Sequence, residues 1–232
     1  PRVLTEAWER LLPRAVCRFA YVGRCDAPTV QAVIDQYFGH WTPIPRSRPL
    51  TVLHSAPTEL RRVEEPRPVE QGRLCMGWAL RDTSNAHEPL TPKEDAAMPV
   101  MAELLGGMQG SLLFRRLREE LGLCYECDGV YDGEKGTWTV TCGIHPGNRE
   151  AAEAAVTEVM NRLAEGEIDS DDLRMAVTSL GNGYRQMADS PAAMESFWLR
   201  RMMNGQEESP AARWARISAV TAEDVCRVAG AR

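Results

Sequence analysis

Between Leu104 and Tyr125 the chain reads LLGGMQGSLLFRRLREELGLCY, and this stretch limits the possible folds more than any other. Apolar residues before Gly106 close one helix, and two successive glycines stop it because ordering them is costly. Ser111 to Glu120 then reads as a second, short helix, and Tyr125 enters a strand. Gly106, Gly107 and Gly110 could also suggest a phosphate loop. No Gly-Lys-Ser/Thr follows them, however, and a helix rather than a strand precedes them. The glycines therefore read as a tight turn between two helices.

The flanking pattern extends this order. Leu74, Met76, Trp78 and Leu80 alternate as in a half-buried strand, and Thr83 to Glu88 form a polar loop. Thr91-Pro92-Lys93-Glu94 is a capping box with proline at the first helical position, opening a helix to about Leu105. Tyr125–Tyr131 and Thr137–Ile144 read as a hairpin, with Trp138, Val140, Cys142 and Ile144 on one face. After it the chain is helical. Ala152, Val156, Val159, Met160 and Leu163 form one stripe, and Asp169 opens a helix containing Leu173, Val177 and Leu180. Ser190-Pro191, Ser209-Pro210 and Thr221-Ala222-Glu223-Asp224 mark three further starts.

Upstream, Thr5 to Leu12 predicts a helix stopped by Pro13, and Val16 to Val22 predicts a strand. Asp26 caps a helix with Val30, Val33, Ile34 and Phe38 as its apolar stripe. Pro43, Pro45 and Pro49 punctuate a linker near residues 42–50. In the larger, later part strands come first and helices follow. That order fits an α+β fold, a mostly antiparallel sheet with helices packed on one face.

At 232 residues the chain has room for one large or two small domains. Its formal charge is −6 with acidic and basic residues interleaved, which argues against nucleic acid as a partner. No apolar run approaches the ~20 residues of a membrane span, so no membrane partner is expected. Seven irregularly spaced cysteines suit a reduced, cytoplasmic chain that uses cysteine as a small core residue. The first residue is Pro1 rather than Met, as expected of an excised or processed chain.

Candidate chemistry is sparse. His40, His54, His87 and His145 include no pair within four residues, so no helical histidine pair can hold a metal. No cofactor is expected in this chain, and zinc-water hydrolysis by it alone is not expected either. Cys124 and Cys127 form C-x-x-C, but residues three apart on a regular strand face opposite sides and would not chelate one metal. Trp78 and Trp138 fall on inward strand faces. Met187, Met194, Met202 and Met203 read as core filler on late helices. Arg118 and Tyr125, with Gly122 between them, are by spacing alone a helix-surface arginine and a strand tyrosine.

Gly106, Gly107, Ser111, Leu113, Phe114, Leu117, Arg118, Glu119, Gly122, Leu123 and Tyr125 together carry a resemblance. The chain resembles the C-terminal, non-catalytic half of the M16 zinc peptidases, the insulinase and mitochondrial processing peptidase family. The resemblance implies an M16 metallopeptidase-like (LuxS/MPP-like) fold. The family's His-x-x-Glu-His zinc motif belongs to the other half and is absent here. Residues 1–45 are then the last helix, strand and helix of the N-terminal half plus linker, and residues 46–232 the C-terminal domain. Gln71-Gly72, Leu123-Cys124-Tyr125 and Asp189-Ser190-Pro191 are similar to a Gram-positive bacterial subgroup, whose members often have a degenerate zinc motif and sit beside a catalytic relative.

The resemblance implies a clamshell of two halves around a chamber that admits peptides, which bind an edge strand by β-augmentation. Arg118 and Tyr125 are the implied catalytic residues. The tyrosine hydroxyl would donate to a developing oxyanion, and the arginine would bind substrate backbone or stabilise charge. Zinc is expected in the N-terminal half or in a partner subunit. The expected partners are a peptide substrate and the missing N-terminal half or a homologous catalytic subunit. The alternatives are a non-catalytic scaffold or assembly subunit, as in the core proteins of one respiratory complex, and a peptide-binding module that delivers precursors to another enzyme. Val16–Val22 is expected to pair with the main sheet, within the chain or by swapping into a neighbour to make a homodimer.

Overall fold

A computed structural model describes residues 2–12, 15, 17–42, 59–79, 90–133, 135–203 and 205–230. The chain divides into two compact units, Pro1–Leu50 with Arg185–Pro210, and Thr51–Tyr184 with Ala211–Arg232.

The larger unit is built on three antiparallel strands, β1 (Gly72–Ala79), β2 (Cys124–Asp132) and β3 (Thr137–Ile144), in the order β1-β3-β2. Strict alternation sets the register. Leu74, Met76 and Trp78 of β1 point to the helices, while Arg73, Cys75 and Gly77 point to solvent. On β3, Trp138, Val140, Cys142 and Ile144 are buried, as their shared face predicts. Trp78 pairs with Trp138, and Cys127 with Cys142. The helices α3 (Pro92–Ala102), α4 (Arg149–Ala164) and α8 (Ala222–Gly230) supply much of the rest of one continuous core, to which Leu104, Leu105, Leu113, Leu117, Ala176 and Ile217 also contribute. The result is the α+β arrangement expected from the sequence, with helices against one sheet face.

Capping explains where these helices begin. The Thr91 hydroxyl accepts from the Glu94 N–H while Glu94 reaches back to the Thr91 N–H, so both orphan donors are satisfied. Thr221 and Asp224 repeat the device at α8. The five-residue stripe on α4 is buried. The helix that Asp169 introduces is α5 (Ser170–Ala188), and α7 (Pro210–Ile217) starts at its proline. The two buried carboxylates of the core are each matched by a cation, whereas the buried Trp138 indole N–H has no hydrogen-bond partner among the described residues. Asp172 meets Arg115, and Lys93 Nζ lies 3.0 Å from Asp224. Burial opposes ionisation of Asp224, but Lys93 and the Thr221 hydrogen bonds outweigh it and hold the carboxyl below its usual range.

The smaller unit contains α1 (Arg2–Leu11), α2 (Ala27–Phe38) and α6 (Pro191–Met203). Asp26 caps α2 as its sequence predicts, its side chain accepting from the Thr29 N–H at 3.0 Å. The expected strand is not formed. Residues 17–22 carry no regular structure and join no sheet among the described residues, and Val16 lies outside them. Their alternation serves local packing instead. Phe19 stacks on Phe38 with centroids 4.9 Å apart, and the Tyr21 hydroxyl accepts from the Cys25 N–H at 3.1 Å. Two finer expectations also fail here. Val33 is exposed while Val30, Ile34 and Phe38 are half-buried. Met202 and Met203 are exposed and Met187 and Met194 only half-buried, so these four are not core filler. The proline linker 43–50, the loop Thr83–Glu88 and Leu80 lie outside the described residues.

Candidate functional site

The site begins where α3 runs without a break into a π-helical segment, Glu103–Gly107. Gly106 lies so close to β2 that a Cβ on it would stand 2.5 Å from the Gly129 nitrogen. After the turn, buried Ser111 caps the next helix, its hydroxyl accepting from the Phe114 N–H at 3.4 Å. Leu113 and Leu117 anchor that helix in the core. Phe114–Glu120 is again π-helical, and the Leu121 N–H donates to the Arg116 carbonyl at 3.2 Å. π-Helical turns are rare and concentrate at functional sites. Gly122 takes φ +60°, which a residue with a side chain rarely adopts, and the chain enters β2.

The three arginines of this helix have different tasks. Arg115 forms a forked pair with buried Asp172 of α5, with Nη1 3.0 Å from Oδ1. Arg116 bridges Glu120 and Glu158, each at 2.9 Å. Arg118 has no carboxylate partner among the described residues. Its guanidinium lies over the Phe114 ring, 4.9 Å from the centroid.

β2 opens with a β-bulge. Cys124 opposes Ile144 and Glu126 opposes Gly143, leaving Tyr125 unpaired between them. Tyr125 and Glu126 both face solvent, and Tyr125 is 60% exposed. Neither helix nor sheet packing occupies its ring, and its hydroxyl has no hydrogen-bond partner among the described residues. Glu126 pairs with Arg73 at 2.7 Å.

The same bulge corrects one expectation from spacing. Cys124 and Cys127 do not face opposite sides, because the extra residue puts both on the buried face. Burial pushes the Cys124 thiol up to about 11, against the pull of nearby Arg118. Arg118 thus lies near the buried Cys124 thiol, while the neighbouring Tyr125 faces solvent. The resemblance singles out both residues, but spacing in the sequence does not show the bulge or the Arg73–Glu126 pair. The break in alternation between buried Cys124 and buried Cys127 was the available signal.

Metal ligands are not assembled here. Among the described residues, no three His, Cys, Asp or Glu side chains are arranged to hold a metal ion. His145 accepts from the Gly147 N–H at 3.1 Å, and His40 sits against Trp41. His54 and His87 lie outside the described residues. The described residues therefore do not assemble a site that fits a zinc ion. No described helix is long and apolar enough to cross a membrane.

Comparison with known proteins supplies the context. The profile of the family described as the peptidase M16 inactive domain matches residues 4–180. No curated protein matches the chain. A conserved protein from Enterococcus faecalis V583 is structurally similar, with 22% identity, TM-score 0.70, and 89% of this chain and 47% of that chain covered. A protease from Helicobacter pylori is similar at 14% identity and TM-score 0.75, over 90% of this chain and 50% of that chain. A peptidase M16 inactive domain from Pseudomonas fluorescens gives 16% identity and TM-score 0.67, with 89% and 48% covered. The chain spans about half the length of each of these three.

Proposed function

Because this chain belongs to the peptidase M16 inactive-domain family, we propose that it is the C-terminal half of a zinc metallopeptidase, forming a wall of the substrate chamber. Residues 1–45 then complete the N-terminal half and residues 46–232 form the C-terminal domain. The zinc ion and its ligands belong to that N-terminal half or to a homologous catalytic subunit. This reading is supported by the chain's span of about half the length of the three structural relatives described above.

The role of this half is to bind a peptide and stabilise charge at the reacting carbonyl. Tyr125 carries the assignment: an unpaired residue at a bulge, with a free hydroxyl pointed to solvent. That hydroxyl donates to an oxyanion without first breaking another bond. Arg118, whose guanidinium lies over the Phe114 ring and has no carboxylate partner among the described residues, supplies a positive charge on the same wall. The edge strands β1 and β2 offer unpaired backbone groups for an extended peptide. The Gln71-Gly72, Leu123-Cys124-Tyr125 and Asp189-Ser190-Pro191 motifs support a Gram-positive bacterial origin. Seven free cysteines support a cytoplasmic location.

The test is kinetic, in the assembled peptidase with a chamber-sized peptide. Tyr125→Phe should leave stability within ~0.5 kcal/mol, since its side chain is exposed. It should lower kcat by about 10²–10³, the cost of one oxyanion donor. Arg118→Ala should weaken both substrate binding and turnover. Wild-type kinetics in both variants would reduce the pair to surface residues, and would favour a scaffold or peptide-binding subunit of a catalytic homologue.

A further inference from the structure

The bulge in β2 has a second effect, on the buried side of the sheet. By moving Cys124 and Cys127 to one face, it collects three thiols near the end of the β2–β3 ladder where β2 begins. Cys127 and Cys142 are direct cross-strand partners, and their sulfurs are 3.1 Å apart in a hydrogen bond. Cys124 lies beside Cys127 on the same face. Exposures of 7%, 6% and 0% for Cys124, Cys127 and Cys142 make this a buried cluster, in contrast to exposed Cys25 and Cys75.

We propose that Cys127 and Cys142 are a redox modification site, oxidised by a peroxide to a disulfide that ties the edge strand β2 to the central strand β3. The geometry supports it. Directly opposed residues on antiparallel strands have Cα atoms about 4.5–5.5 Å apart, within the usual disulfide span of ~4.4–6.8 Å. The sulfurs need only approach by about 1 Å to reach bonding distance. No backbone rearrangement is required, because the register already places the two side chains together.

The chemistry balances with a peroxide as the sole co-reactant. One sulfur, as thiolate, attacks a peroxide oxygen. The O–O bond breaks, a sulfenic acid forms, and the leaving hydroxide takes up the displaced proton as water. The second thiol then attacks the sulfenic sulfur and expels the hydroxyl as another water. Two thiols are oxidised to one disulfide and one peroxide is reduced to two waters. Either thiol can donate the hydrogen bond between the two sulfurs, so either can be the first nucleophile and its partner the resolving thiol. The peroxide reaches the pair when β2 opens locally. β2 is an edge strand with one sheet neighbour, and its ladder is already interrupted at Tyr125.

The experiment maps the cysteines of the native full chain after hydrogen peroxide treatment, alkylation under denaturing conditions and trypsin digestion. Cleavage after Lys135 separates residues 119–135, with Cys124 and Cys127, from residues 136–149, with Cys142. The expected product is these two peptides joined, with fragmentation placing the link at Cys127 and dithiothreitol releasing it. Cys124→Ser should retain the link, and Cys127→Ser and Cys142→Ser should abolish it. The wild-type map does not depend on how the variants fold. Three results would overturn the proposal: separate alkylated or over-oxidised peptides, a link at Cys124 instead, or equal rates of linkage in native and urea-unfolded chain.

Discussion

Arg73 and Glu126 lie on strands that are not neighbours, yet their side chains form an ion pair at 2.7 Å across the strand between them. Gly143 of β3 is the Cα partner of both. With no side chain there, the carboxylate of Glu126 can lie flat over the central strand and reach β1. A Cβ on Gly143 would stand 3.0 Å from Glu126 Cγ and 3.3 Å from Oε1. The pair thus spans the full width of the sheet on its solvent face, next to the bulge that presents Tyr125.

Its energetics should separate clearance from charge. Both partners are more than half exposed, so Arg73→Ala and Glu126→Ala should each cost at most about 1 kcal/mol. Gly143→Ala should cost more, about 1–3 kcal/mol, because the new methyl displaces Glu126 from its path. Urea midpoints of the three variants give the order. A smaller loss for Gly143→Ala than for Glu126→Ala would show that the central glycine is incidental.

Gly106 and Gly107 make a sharper contrast. Helix propensity alone favours alanine over glycine by about 1 kcal/mol at either position. At Gly106 the new Cβ would meet the backbone of Gly129, at 2.5 Å from N and 2.8 Å from Cα. That backbone belongs to a paired strand and cannot yield cheaply, so Gly106→Ala should destabilise by about 2 kcal/mol or more. At Gly107 the nearest atom is Glu103 Oε2, at the end of a flexible side chain. Gly107→Ala should therefore be the milder change in thermal unfolding.

Acid should weaken the junction of α3 and α8. Asp224 releases its proton more readily in the folded protein than in the unfolded chain, where an aspartate titrates near ~3.9. Its stabilising contribution is therefore complete above about pH 4 and is lost as pH falls through the lower folded value. Asp224→Asn lacks this dependence. The stability gap between wild type and Asp224→Asn, measured by urea at a series of pH values, should be constant near neutrality and shrink below about pH 4. A gap that widens in acid would reverse the assignment.

The isolated chain should bind zinc only substoichiometrically after purification without an affinity tag, and should cleave no peptide. The reason is the scattered placement of its histidines, not the fold, since three convergent ligands are the minimum for a catalytic site. One tightly held zinc per chain, with chelator-sensitive activity, would contradict it.

Periodicity in the sequence reached most of the larger unit. The buried face of β3, the stripe on α4 and the capping boxes at Thr91 and Thr221 each follow from side-chain spacing and one local hydrogen bond. Such features are decided within a few residues, so sequence carries them. Residues 17–22 have a strand's alternation, but Phe19 finds a partner on α2 instead, a tertiary choice that no local pattern specifies. Arg118 and Tyr125 are singled out by the family resemblance and not by spacing alone. Their freedom from structural work depends on what neighbouring side chains leave unoccupied, as Arg115 and Arg116 show by being engaged.

Two π-helical segments and one bulge fall between Glu103 and Glu126, and each departs from a regular element by holding surplus residues. In a helix each added residue rotates the next turns by about 100°, and in a strand it reverses the facing of every later side chain. The aim of Arg118 and Tyr125 is therefore a matter of phase. A single-residue deletion within this stretch would keep every motif residue and still turn both side chains away from where they now point, so it should act on them more severely than many substitutions.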